Sequence, residues 1–406
     1  MGTFNKQVRQ GQEEVIELGN LEDIVAIRRD LHAHPETAYE EVRTAKVVAD
    51  YLTECGIEVH TGIAKTGVVG VLKCGTSDKA IMLRADMDAL PMPEDNDFEH
   101  KSQVPGKMHG CGHDGHTAML LAAAKHLKLA GGFDGTVYFV FQPAEENGGA
   151  GARAMMKEGL FERFPAQAIF GIHNWPGMPA GSFNVCAGPL MASANAFKIT
   201  ITGRGGHAAA PQDCADPVPA LFAIGTAIQT ILTRNKRPLD AAVISITQVQ
   251  AGNNATNIIP GSVWLGGSIR AYSADVVDLI ERRLNEIAAP IAAAHGCQAD
   301  VYFERRYPAL INSQAETDFC LDVMREVVGE KNTHVVDPVM ASEDFAFFLQ
   351  DKPGCYVFLG AGEGEHRHTG HGLGPCALHN GSYDFNDNLI PVGASYWIRL
   401  VQRYLA

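Results

Sequence analysis

The sequence predicts an α/β fold in which one main domain is interrupted by an inserted ferredoxin-like βαββαβ domain. Three observations lead there. Short β-branched runs alternate with helical stretches up to residue 186, the rhythm changes over residues 187–304, and the first style returns over residues 305–406. Strands alternating with helices indicate a sheet with a substantial parallel part.

Each element has its own signal. "LEDIVAIRRDLHAHPE" and "EEVRTAKVVADYLTECG" carry apolar residues at helical spacing, and the second stops at Gly56 as a helix should. "TGVVGVLKCG", "KAIMLRADMDAL", "TVYFVFQ" and "QAIFGIHNW" read as strands, separated by helical "TAMLLAAAKHLKLAGG" and "GARAMMKEGLF". The near-continuous apolar character of "TVYFVF" suits a strand buried on both faces. Within 187–304, "NAFKITITG" is a strand, "DPVPALFAIGTAIQTIL" a helix with proline near its start, and "AAVISITQVQAG" and "SVWLGGSIRAY" two strands. The helix "SADVVDLIERRLNEIAAPIAAAHG" and the strand "CQADVYFERR" complete the βαββαβ order. "ETDFCLDVMREVVG", "GCYVFLGAG" and "LIPVGASYWIRLVQRYLA" then resume the α/β style.

Composition excludes several classes. A chain of 406 residues allows two or three domains at roughly 150 residues each. No apolar run approaches the roughly 18 residues that span a bilayer. The polar start "MGTFNKQVRQGQEEVIELGN" does not read as a secretory signal, so a cytoplasmic location is expected. A net charge of −14 disfavours nucleic acid and anionic membrane surfaces as partners. Nine cysteines without short paired spacing point to reduced thiols.

The chemistry concentrates in "HGCGHDGH", where three histidines, a cysteine and an aspartate share eight positions. Gly112 leaves room for Cys111 and His113 to turn toward one point. Thiolate with imidazole favours zinc, and manganese, cobalt or nickel can occupy such a set. "QPAEENGG" puts Glu145 and Glu146 directly after a buried strand. In extended chain, neighbours point to opposite sides, so one carboxylate is expected on a metal and the other on a bound water. His173 follows the next strand, and Asp86 and Asp88 follow an earlier one, at the strand ends where open α/β sheets hold ligands. "CALHNGSYDFND" adds His379.

In order along residues 25–395, "RRDLHAHPE", "RADMDALP", "MHGCGHDGH", "FQPAEE", "IHNWP", "GRGGHAAAP", "NATNIIPG", "SEDFAFF" and "LHN" resemble the binuclear metal amidohydrolases. That family includes hippurate hydrolase, indole-acetyl-amino-acid hydrolases, and related aminoacylases and carboxypeptidases. The resemblance implies a zinc-peptidase-like catalytic domain with a mixed central sheet, formed by residues 1–186 and 305–406, and an inserted lid and dimerisation domain over 187–304. It implies two divalent metal ions bridged by Cys111, with Glu146 and His379 completing one site and His113 and His173 the other. Asp88 would orient a ligand from behind. Glu145 would act as general base and then acid, while the two ions lower the pKa of a bound water from about 16 toward 7. His207 would support the oxyanion of a partner subunit's site, and Asn257 and Arg270 would hold the substrate carboxylate.

The implied activity is hydrolysis of N-acyl amino acids by a homodimer or dimer-based tetramer. Action on dipeptides or other short peptides is the alternative within the family. The residues alone leave open a thiolate nucleophile at Cys111, or a binding protein that does not turn over. His32 and His34 are read as fixing local structure, His116 as a competing ligand, and His366, His368 and His371 as solvated side chains of a Gly/His-rich loop.

Overall fold

The computed structural model describes residues 15–367 and 370–406, apart from the side chain of Asn147. His368 and most of the polar N-terminal stretch read above therefore lie outside the described residues. The chain divides into two compact units. One comprises the described residues up to Leu190, with Ile311–Asp337 and Phe347–Ala406; the other comprises Met191–Leu310 and Pro338–Ala346.

The first unit opens with α1 (Leu21–Ala33), α2 (Val42–Glu54), β1 (Glu58–Ile63), β2 (Gly67–Cys74), β3 (Ala80–Asp86), α3 (His113–Ala130) and β4 (Gly135–Gln142). It continues through α4 (Gly151–Lys157), α5 (Leu160–Arg163), β5 (Ala168–Pro176) and β6 (Phe183–Val185) to β7 (Gly188–Met191). The second unit follows as β8 (Ala194–Thr202), β9 (Gly206–His207), α6 (Pro217–Ile228), β10 (Ala242–Gln250), β11 (Ile258–Ile259), β12 (Ser262–Ala271), α7 (Ala274–Ala294) and β13 (Gln298–Tyr307). The chain then returns through β14 (Leu310–Asn312), α8 (Gln314–Val328), β15 (Thr333–Val335), α9 (Phe348–Asp351), β16 (Gly354–Gly362) and α10 (Ile390–Tyr404).

The first unit is built on an eight-stranded sheet of order β1-β2-β4-β3-β5-β16-β6-β15. The four central strands β4, β3, β5 and β16 run parallel, whereas β1, β2 and β6 are joined antiparallel. The sheet is mixed, with its parallel part in the middle. That placement explains the sequence: β3 is buried at every residue, as a strand covered on both faces must be. The edge strand β1 carries "EVHTGI" with most residues partly or fully exposed, so its apolar signal is weak and the sequence reading passed over it.

Helix α3 packs on α10 and α1, and α10 on α8. Leu83, Phe139, Phe170, Val357 and Trp397 are almost fully buried in the resulting core, each side chain contributing on the order of 2 kcal/mol. In the second unit, four antiparallel strands in the order β10-β12-β8-β13 carry α6 and α7 in a split βαβ arrangement. Asp216 caps α6 by accepting from Val218 N at 2.9 Å, with Pro217 at the first helical position.

Candidate metal centre

The parallel strands deliver chemistry to one end of the sheet. β3 ends at Asp86, β4 ends at Gln142 just before Pro143–Glu146, and β5 carries His173 near its carboxyl end. Helix α3 starts at His113, immediately after Gly112, whose φ of +95° is available to few other residues. A Cβ there would overlap Asn174 Oδ1 and approach Tyr383 Oη. Only glycine lets the loop turn Cys111 and His113 inward together.

Two of the potential ligand groups that result share Cys111. The ligand atoms of Cys111, His113 and His173 lie within 4.8 Å of one another, as do those of Cys111, Glu146 and His379. His113, Glu145 and Glu146 form a further such group. Cys111 Sγ is 3.4 Å from His173 Nε2, and His379 Nε2 is 3.1 Å from Glu146 Oε1. His379 is the exposed member and holds a left-handed backbone, φ +59°, with its N–H donating to Gly110 O.

The donor set fits metal ions on three counts. His113 Nδ1 donates to Asp88 O at 2.8 Å and His173 Nδ1 to Asn174 O at 2.6 Å, which leaves each Nε2 as the ring nitrogen available to a metal. His113 Nε2 is buried with no hydrogen-bond partner among the described residues. Burial, together with the Glu146, Glu145 and Asp86 carboxylates, pushes the Cys111 thiol well above its usual range. A pocket that resists a thiolate this strongly is one that cations would neutralise.

Burial and neighbouring charges shift the two imidazoles in opposite directions. Burial opposes charge on His113, but Asp86 and Asp88 carry its pKa up to about 10. Burial and the charges of His116 and His113 hold His173 well below its ordinary value. Burial raises Glu146, yet His379 and His113 bring it below a normal carboxylate.

The Glu145–Glu146 segment corrects one expectation. It is not extended: Ala144 is left-handed at φ +54°, Glu145 is helical, and Glu146 opens a short 3₁₀ turn. The turn, and not strand alternation, sets where the two carboxylates stand, and each has an oxygen within 4.8 Å of the other. Asp88 holds it, accepting from Glu145 N at 3.0 Å and Glu146 N at 2.9 Å, while its Oδ1 lies 3.3 Å from His113 Nδ1. Glu41, which the sequence reading missed, pins the same turn by accepting from Ala144 N at 2.9 Å.

Behind the ligands runs a buried chain that was equally unforeseen. Arg84 donates to Gln142 and to Asp86, Asp86 accepts from His116 Nδ1 at 2.6 Å, His116 Nε2 meets Asn174, and Asn174 meets Tyr383 Oη. His116 thus has both ring nitrogens engaged by this chain, and with Asp86 and His113 it forms a further group whose ligand atoms lie within 4.8 Å of one another. His32 lies between Asp114 (2.9 Å) and Glu94 (3.1 Å), and His34 bonds Asp30 O, both structural as expected. His366 and His371 are not solvated. Their Nε2 atoms meet Asp384 O at 3.2 Å and Asp384 Oδ2 at 3.1 Å, because the glycine-rich loop folds back on the segment that follows it.

The remaining candidates belong to the second unit. His207 is exposed on β9, paired with Ile258 of β11, and its Nδ1 accepts from Ala209 N. Asn257 is its neighbour, its carbonyl accepting from Ala208 N at 3.0 Å. Arg270, on β12, donates to Ser342 Oγ at 2.8 Å.

Comparison with known proteins agrees with this geometry. The chain is 43% identical to the hippurate hydrolase of Campylobacter jejuni over 380 residues, 93% of this chain and 96% of that relative. It is 39% identical to the IAA-amino acid hydrolase ILR1-like 4 of Arabidopsis thaliana over 388 residues, 94% of this chain and 86% of that relative. Among solved structures, the YXEP protein of Bacillus subtilis, described as a dinuclear metal binding peptidase, matches with a TM-score of 0.80 at 31% identity, covering 95% of this chain and 98% of that one. The family described as Peptidase family M20/M25/M40 matches residues 82–403. The chain belongs to that family.

Proposed function

We propose that this amidohydrolase cleaves the amide bond of N-acyl amino acids, releasing a carboxylic acid and a free amino acid. One observation carries the reading: two ligand groups that share Cys111 adjoin Glu145 at the carboxyl ends of the sheet's parallel strands. Cys111, His113 and His173 would hold one divalent ion, and Cys111, Glu146 and His379 the other. When bound, the ions acidify water and polarise the amide carbonyl. Zinc suits the thiolate and imidazole donors best, with manganese, cobalt or nickel as alternatives.

The chain's own groups do the rest. Glu145 takes the proton of the water that adds to the carbonyl carbon, and returns it to the nitrogen as the C–N bond breaks, worth about 10²–10⁴ in rate. Asp88 fixes the turn that carries Glu145 and Glu146. His207 donates to the oxyanion, worth about 3–4 kcal/mol, and Asn257 with Arg270 receives the substrate carboxylate. His207 serves a second copy in a homodimer, which makes each site depend on two chains. Nine thiols without a disulfide among them fit the cytoplasm.

The test is a panel of N-acyl glycines and other N-acyl amino acids, benzoylglycine included, given to the metal-reconstituted protein. Release of the free amino acid from at least one member is expected. No release from any member would overturn the reading.

A further inference from the structure

We propose that Arg306 is a specificity residue beside Arg270, and that the two guanidiniums together select amide substrates whose amino-acid part carries a second carboxylate, as in glutamyl and aspartyl compounds. The inference rests on the reading in which Arg270 receives the substrate carboxylate, and names the side-chain class that this reading leaves open. All the residues concerned belong to the second unit.

Strand register brings the two arginines together. Val263, Leu265 and Ile269 of β12 are buried in the core that α6 and α7 share, so alternation puts Ser268 and Arg270 on the other face of the sheet. Ile269 pairs with Asn195 of β8, which leaves Arg270 beside Ala194. Across β8, Arg305 pairs with Asn195 and Tyr307 with Ala194, so Arg306 is the extra residue of a bulge, a device that re-aims a side chain. Arg305 turns toward α7, to Asp278 at 2.7 Å and to Glu281. Arg306 turns the opposite way. Its partner at 2.9 Å is Glu304, which stands beside Ala196 just as Ser268 does from β12. The two arginines therefore flank β8 on one face, two strand spacings or about 10 Å apart at the backbone. Between them β8 offers only the methyl groups of Ala194 and Ala196.

The charges around the pair favour a doubly anionic ligand. Arg270 donates to the uncharged Ser342 Oγ at 2.8 Å, and no carboxylate among the described residues pairs with it. Burial and the Arg306 charge lower its pKa, a repulsion that a bound anion relieves. One carboxylate, held bidentately, occupies one guanidinium. Arg306 is then left for a second, because its bond to Glu304 joins side chains that are 49% and 40% exposed, and pairs of that kind are weak. A ligand with two carboxylates satisfies both cations. One with a single carboxylate leaves Arg306 on Glu304.

The experiment compares wild type with Arg306→Gln, Arg306→Lys and Glu304→Gln in two ways. Kinetics read the ratio of kcat/KM for benzoylglutamate over benzoylglutamine, which differ in charge and hardly in shape. Calorimetry reads the affinity of the metal-loaded protein for glutamate over glutamine, the product amino acids. Wild type should prefer the acid in both. Arg306→Gln should cut each preference about tenfold, the low end for a hydrogen bond to a charged group because the side chain is half exposed. Arg306→Lys should keep part of it, as a charge without the planar fork. Glu304→Gln should raise the preference about two- to fivefold by removing the competing anion, a gain that a merely structural role for the pair does not produce. A wild type without preference for the acid, or an Arg306→Gln variant that loses acid and amide substrates equally, would overturn the proposal. If wild type cleaves neither benzoyl compound, the amide-hydrolase reading fails on its own, and the glutamate titration still decides the role of Arg306.

Discussion

Replacing Asp88 by asparagine isolates the group that shapes the turn without contacting substrate. Its carboxylate accepts from two buried backbone N–H groups, Glu145 at 3.0 Å and Glu146 at 2.9 Å. Hydrogen bonds to a charged acceptor are worth about 1.5–3 kcal/mol each. An asparagine keeps one acceptor oxygen and turns an NH₂ group toward the other N–H, so one bond is lost and a buried donor is left facing another donor. The expected destabilisation is about 2–4 kcal/mol. Metal retention falls for a second reason, since the charge 3.3 Å from His113 Nδ1 disappears. His113 keeps its bond to the Asp88 carbonyl, so the ring is not released. The loss should therefore lie near the lower end of the 10- to 100-fold typical of groups behind metal ligands, about tenfold. Urea unfolding of the metal-free variant and chelator competition on the loaded one measure the two effects. A variant that unfolds at the wild-type midpoint and holds metal as tightly would refute the role assigned to Asp88.

Other perturbations separate roles within the site. Glu145→Gln should keep its metal and lose about 10²–10⁴ in turnover, whereas Glu146→Gln should lose metal; elemental analysis beside kinetics distinguishes them. Gly112→Ala should destabilise by at least about 2 kcal/mol and weaken metal binding, because its Cβ meets Asn174 at a left-handed φ of +95°. His32 gives a pH signature. Burial opposes its charge, but Asp114 and Glu94 raise its pKa to about 9, above the value near 6.5 expected when unfolded. Its stabilisation is therefore complete below about pH 6.5 and is lost as pH rises through about 9, by at most about 3 kcal/mol. The stability gap between wild type and His32→Gln should shrink across that window; a gap independent of pH would show that His32 is uncharged in the fold.

What the sequence disclosed and what it hid divide along a physical line. Cys111 and His113 stand two residues apart beside a glycine, and His173 and the Glu145–Glu146 pair follow apolar strand runs, so local pattern was enough to place them. Partners distant in sequence were invisible. Asn174 reaches Tyr383 across 209 positions, and Ala144 is pinned by Glu41 across 103. The turn at "PAEE" could not be read either, because a left-handed alanine is imposed by tertiary contacts and no residue type there announces it. His366 and His371 looked solvated because their loop is rich in glycine, and only the fold brings Asp384 back to them.

On this reading, amide hydrolysis depends on two ions held around one shared thiol. Its most direct test is to strip the protein with chelator, return metal in measured equivalents per chain, and follow glycine release from the best N-acyl glycine substrate. Activity should vanish on stripping, return with added metal and saturate at two equivalents, while Cys111→Ser should need far more metal to reach any plateau. Activity that survives stripping, or that thiol alkylation abolishes with both ions still bound, would contradict the account.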